Sequence, residues 1–260
     1  MDITELVDRI SGNLSERVAT SVETAHPGSY ANQWWRALGS DARVNAHIVA
    51  DHLDLVLPDD LRDFRRVVRS HSAVAPVNVI QENGQPSSAL LYCIPEDGHD
   101  LDDVEYCHYL LGLDPVTPET TEASRLYGSL SGSFQRFYSL IHNGFAVDIE
   151  HDVGGIPTLE NIATWRDRTG DSSPDDIRQS LLGDEPYAPD PNQMVIVFDG
   201  GGDLVFTVLD HSNDNWQYAG GSFFYYSEIS RSGRRITPLV LIEMLILDSY
   251  LDYAMPMPFE

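Results

Sequence analysis

Met194-Val195-Ile196-Val197-Phe198-Asp199-Gly200-Gly201-Gly202-Asp203-Leu204-Val205-Phe206-Thr207-Val208-Leu209 decides the fold class. Two apolar runs rich in β-branched residues flank a glycine triplet, which supplies the positive φ that a tight strand-to-strand connection needs. The runs read as neighbouring strands, and their apolar character predicts burial by helices on at least one face. Downstream, a polar turn at 212–215 leads to Trp216-Gln217-Tyr218, and residues 223–226 add one more strand. Pro238 suits a first helical turn, so a final helix is expected over 238–253.

Upstream, residues 133–142 read as a helix with Phe134, Phe137, Leu140 and Ile141 inward, ended by Asn143-Gly144. A short strand follows at 145–149, then a helix over 158–168 capped by Thr158 and another opened by Ser173-Pro174. Residues 112–121 collect two prolines and three threonines and mark the expected domain boundary. Before it, Ile3, Leu6, Val7, Ile10, Leu14 and Val18 line one face of a first helix. Trp34, Trp35 and Leu38 form a short helix stopped by Gly39. Residues 44–57 are helical in period, and Asp59 is placed to cap a helix through Val68. Residues 77–80 and 89–94 form two strands around a turn, and Asp100 opens a helix through Leu111. The order of elements predicts an α+β fold: a mainly antiparallel sheet with helices packed on it. Residues 1–115 form a helical and hairpin extension, and residues 116–260 a second domain.

The 260 residues carry 41 acids against 16 basic side chains, a net charge of −25, and every basic residue is arginine. Such a field repels nucleic-acid phosphate and anionic membrane surfaces. It steers encounter with a basic partner; a host proteome that is acidic throughout would give the same composition. The most apolar stretch, 239–247, holds Glu243 and falls short of the roughly 20 residues of a membrane span. No secretory pattern opens the chain, and a cytoplasmic location is expected. Cys93 and Cys107 read as two buried free thiols, one in a strand and one in a helix, beside a solvated acidic turn.

No motif points to a catalytic, metal or cofactor site. Asp199 to Asp203 lacks the lysine and following helix of a phosphate loop. Glu150-His151-Asp152 reads as a solvated turn, and no nucleophile-elbow or zinc-protease spacing occurs. The candidate partner-binding residues are Glu150, Asp152, Asp199, Asp203, Asp210, Asp214, Trp216 and Tyr218, placed at sheet-end turns where acids and aromatics can converge.

Residues 130–145 (Leu130-Ser-Gly-Ser-Phe-Gln-Arg-Phe-Tyr-Ser-Leu-Ile-His-Asn143-Gly144-Phe145) resemble the opening helix and Asn-Gly step of the SUKH superfamily. Residues 156–162 are similar to its following helix, and 198–206 to its Gly-Gly-Asp strand pair. The resemblance covers roughly 118–255 and departs from the pattern at Ser131, where proline is frequent. It implies a toxin-immunity protein that binds a co-encoded bacterial toxin, often a nuclease, and covers its active site without catalysis or cofactor. A scaffold or regulator of the same fold is the alternative. A metal-assisted hydrolase using His142, Glu150, His151 and the 199–214 acids is a further rival.

Overall fold

The computed structural model describes residues 1–10, 21–25, 34–80, 86–116, 121–147, 149, 154–169, 190–201, 203–209, 211–219, 222–225 and 237–253. Among these residues ten strands form one sheet in chain order, each antiparallel to the next. They are β1 (Ser21–Thr24), β2 (Ala73–Ile80), β3 (Pro86–Pro95), β4 (Cys107–Leu113) and β5 (Phe145–Ala146). β6 (Gly155–Ile156), β7 (Met194–Asp199), β8 (Leu204–Val208), β9 (His211–Ala219) and β10 (Ser222–Tyr225) complete it. The fold is α+β, with the helices packed on both faces of the sheet.

Strand alternation sorts the side chains into two layers. Val74, Leu90, Tyr92, Ile94, Leu110, Val195, Val197 and Val205 point into the larger core. That core is closed by α2 (Ala42–Val56), α3 (Arg62–His71), α4 (Thr121–Ser129), α5 (Gly132–Arg136) and α7 (Pro238–Met244). On the opposite face Ala75, Val77, Leu91, Cys93 and Leu111 meet Ile3, Leu6, Val7 and Ile10 of α1 (Ile3–Ile10). Farther along that face Met194, Ile196, Leu204 and Phe206 pack with Trp165 of α6 (Trp165–Thr169). One face is therefore roofed across both halves of the sheet, and the other at its two ends.

The division expected at residue 116 falls between β4 and α4. The sheet crosses it, with Leu111 and Gly112 of β4 paired to Ala146 and Phe145 of β5, and the larger core holds residues from both sides. The hairpins at 77–94 and 194–209 stand as the sequence predicts, and Gly201 takes φ +77 in the β7–β8 turn.

Several expected elements differ. Residues 100–111 are not a helix. A 3-10 turn over Val104–Tyr106 leads into β4, and Cys107 lies in a strand. The cap-like aspartates close the turn on itself, with Asp102 N donating to Asp100 Oδ1 at 2.8 Å and Asp100 N to Asp103 Oδ2 at 3.2 Å. The helix expected over 158–168 is a turn followed by the short α6. Residues 212–215 lie within β9 rather than in a turn. Leu140 is exposed, while Tyr138, its neighbour on the π-helical turn after α5, is buried.

Asp59 does not cap α3. The N-cap is Leu61, in the left-handed region at φ 52 with no side-chain cap. Glu243 of α7 does the work from across the core, its Oε1 accepting from Asp63 N at 2.6 Å and Phe64 N at 2.9 Å. Asp60 ties the same corner together: it accepts from the hydroxyls of Ser133 at 2.6 Å and Thr237 at 2.7 Å. Thr237 in turn caps α7, with Pro238 in its first turn.

Candidate functional site

Among the described residues, the sheet face roofed at its two ends leaves a cleft of about 520 Å³ over β4 to β7. Leu111, Leu113, Ala146 and Ile196 make an apolar floor, and Asn161, Asp167, Arg168 and Asp199 stand at its polar rim. The floor is shallow because β5 and β6 are two residues each and closely apposed. Gly155, at φ +144, would put a Cβ 1.9 Å from the Phe145 carbonyl oxygen, so only glycine fits there.

Asp199 ends β7 and is held on both oxygens. Oδ2 pairs with Arg168 Nη1, and Oδ1 accepts from Gly201 N at 3.1 Å. Asp167, one residue before that arginine, accepts from Thr164 N at 3.0 Å and Thr164 Oγ1 at 2.6 Å, which fixes the start of α6. These hydrogen bonds hold the Asp167 carboxyl below its ordinary pKa. Burial pushes Asp203 up.

The structure brings together some of the expected binding residues and not others. Asp199 pairs with Leu204, and Leu204 with Tyr218 on β9, so Asp199, Asp203 and the Tyr218 backbone share one end of the sheet. Trp216 is in register with Phe206, two positions further in. Asp214 lies beyond the Thr207–Asn215 pair, near the β8–β9 irregularity, about 13 Å along the strand from the Leu204–Tyr218 pair. Glu150, Asp152 and Asp210 lie outside the described residues, as does His151.

His142 is not available for the hydrolytic chemistry weighed for it. It is fully buried, and its Nδ1–H donates to the Leu113 carbonyl at 3.2 Å. Nε2 then accepts from the Tyr92 hydroxyl at 2.8 Å. Burial lowers its pKa to about 3, so the ring is neutral. Among the described residues no three His, Cys, Asp or Glu side chains gather where they could hold a metal ion.

An acidic surface stands at the β3–β4 turn. Asp97, Asp100, Asp102, Asp103 and Glu105 are exposed there, beside Val104 at 46% and Tyr106 at 41% exposure. Two histidines lie close to this turn, His99 at 3.6 Å from Asp103 and His108 at 3.0 Å from Glu96, and Arg9 donates to the Leu101 carbonyl within it at 2.6 Å. The His99 ring stacks on Tyr106 with centroids 3.9 Å apart. The signal in the sequence is the density of acids over 97–105; the exposed apolar side chains beside them, a combination typical of interaction surfaces, come from the fold.

No family model, curated protein or solved structure matches this chain. Among the described residues no helix is long and apolar enough to cross a membrane.

Proposed function

We propose that this protein binds a basic protein toxin, of the kind that grips nucleic acid, and neutralises it by covering its active site without catalysis. The observation that carries the reading is where the charge of −25 is left. Arg9, Arg65, Arg66, Arg69 and Arg168 each pair with an acid of the chain itself, while the acids of the β3–β4 turn stand exposed around Val104 and Tyr106. A nuclease-like partner is basic because it must hold phosphate, and its association with such a surface is fast at low salt.

The resemblance to the SUKH superfamily supports the same reading. Two of the segments that carry it are joined in the fold: Asn143 Oδ1 accepts from Leu159 N at 2.9 Å, and its Nδ2 donates to Glu160 at 3.1 Å. The test begins by capturing partners from the source lysate at low and moderately high salt, then measuring association with the captured protein. One basic protein retained at equal stoichiometry, whose toxic activity is abolished on binding, is the expected result. Reversing Asp97, Asp102 and Glu105 to Arg then slows association at least tenfold at low salt and flattens its salt dependence. Full residual activity of the bound protein refutes neutralisation, and unchanged association rates refute the assigned surface.

The open cleft favours a second reading, a regulator of the same fold that takes a small, mainly apolar ligand against Leu111, Leu113 and Ile196. Thermal stabilisation by such a ligand, lost in Ala146→Trp, is its expected signature.

A further inference from the structure

We propose that Cys93 and Cys107 form a dithiol that hydrogen peroxide oxidises to an intramolecular disulfide, on the strength of their diagonal placement across β3 and β4. Pro95 faces Cys107 and Cys93 faces Tyr109. Glu96 N donates to Tyr106 O at 2.8 Å, which makes 96/106 a hydrogen-bonded pair. The pairs 95/107 and 93/109 are then non-hydrogen-bonded, the sites where side chains approach most closely. Both cysteines point to the same face, into the small core under α1. The right-handed twist of the hairpin draws this diagonal together, the residue farther from the turn on β3 toward the one nearer the turn on β4. Both thiols are free, and the Cys107 thiol faces the Asp103 carbonyl at 3.6 Å and the Asp100 carbonyl at 3.9 Å.

The two sulfurs are not equivalent. Cys107 opens β4 directly after the exposed turn residues Val104, Glu105 and Tyr106, and keeps 6% exposure, while Cys93 has none. Cys107 is lowered from the usual thiol pKa, first by the hydrogen bond from Cys93 and then by Arg9, against burial, Asp103 and Asp100. Arg9 is anchored over the site by donating to the Leu101 carbonyl at 2.6 Å. Cys93 is raised by the same thiol pair and by burial. This is the division of labour between an attacking and a resolving cysteine.

In the first step the Cys107 thiolate sulfur bonds to one peroxide oxygen. The O–O bond breaks, hydroxide leaves, and Cys107 becomes a sulfenic acid. In the second the Cys93 sulfur attacks the Cys107 sulfur, the S–O bond breaks, and the departing hydroxide takes the Cys93 proton as water. Two thiols are oxidised by two electrons and one peroxide is reduced to two waters. Diagonal neighbours of a hairpin stand about 7–8 Å apart before twist draws them together, so closing the sulfurs to about 2 Å asks for backbone movement of β3 against β4 as well as side-chain rotation.

The test uses the full chain, treated with graded peroxide, quenched, unfolded and alkylated with N-ethylmaleimide before intact-mass measurement. The expected result is loss of both alkylatable thiols together in a monomer lighter by two hydrogens, with a 93–107 cross-linked peptide, all reversed by dithiothreitol. In Cys93→Ser, dimedone traps a sulfenic acid on Cys107; in Cys107→Ser, Cys93 stays reduced at the same dose. Two thiols still alkylated at a dose that fully oxidises glutathione overturn the proposal. So do disulfides found only between molecules, or a wild-type sulfinic acid formed in place of the disulfide.

Discussion

Acidification tests the buried polar centre of the fold directly. His142 is neutral and enclosed, with a pKa lowered to about 3 against an ordinary value of 6.5. The unfolded chain therefore binds a proton that the folded chain refuses between pH 6.5 and 3. The stabilising contribution is complete above 6.5 and is lost progressively as pH falls toward 3. The slope is about 1.4 kcal/mol per pH unit, or about 3 kcal/mol by pH 4. Asp114 acts in the opposite sense. Its Oδ1 is buried without a hydrogen-bond partner, and burial raises its pKa to about 6. It weakens the fold at neutral pH and ceases to do so as pH falls from 6 toward the ordinary carboxylate value. Because Asp114 is only half-buried, solvent screens it and its effect is the smaller of the two. Urea unfolding at pH 7, 6, 5 and 4 should show a shallow acid loss in the wild type, a steeper loss in Asp114→Asn, and none of the His142 slope in His142→Gln. The reasoning fails if His142→Gln, though weaker at pH 7, declines with acid as steeply as the parent.

Other perturbations read the packing. Gly112→Ala sets a Cβ 2.4 Å from the His142 imidazole, and should cost about 2–3 kcal/mol in urea unfolding. Glu243→Ala strips the acceptor from the first N–H groups of α3, a loss of about 3 kcal/mol seen as a lower Tm; Glu243→Gln, which keeps an acceptor, should recover part of it. Leu55→Glu, at a position 79% exposed, should change stability by no more than about 0.5 kcal/mol by the same measurement.

Legibility followed the range of the forces involved. Hairpins and the start of α7 were readable because apolar runs, the glycine triplet and Pro238 act on their own neighbours. The 100–111 segment misled for the same reason. Asp100 and Asp103 make the backbone hydrogen bonds of a helix start, but the run Cys107–Leu113 beyond them is buried on both faces and pairs with β3. The cap of α3 could not be read locally at all, since its acceptor lies some 180 residues away on α7. Of the expected binding residues, Asp199 was found where an acid matters but engaged by Arg168, because α6 arrives from a segment whose helix was expected to start seven residues earlier. The acidic turn was visible as composition; its exposed Val104 and stacked Tyr106 needed the fold.

The placement of charge in this chain follows from its lack of lysine. Arginine offers a planar fork, and the structure spends it on fixed geometry: Arg65 donates to the Leu57 and Pro58 carbonyls, Arg136 to Val56 at 2.9 Å, and Arg69 bridges Asp51 and Asp54. Buried acids are used in the same manner, with Asp60 and Glu243 binding the α3, α5 and α7 starts into one corner. A cation pinned to the framework cannot swing out to neutralise a distant surface acid. The β3–β4 turn keeps its five exposed acids over the hairpin that holds Cys93 and Cys107, with Arg9 on the Leu101 carbonyl as its neighbouring guanidinium. Under the binding function proposed above, peroxide would act on the base of the docking surface rather than at a remote site. Comparing partner association for the oxidised and reduced protein separates the two ideas: a changed rate with intact binding couples them, and an unchanged rate leaves the disulfide a local event.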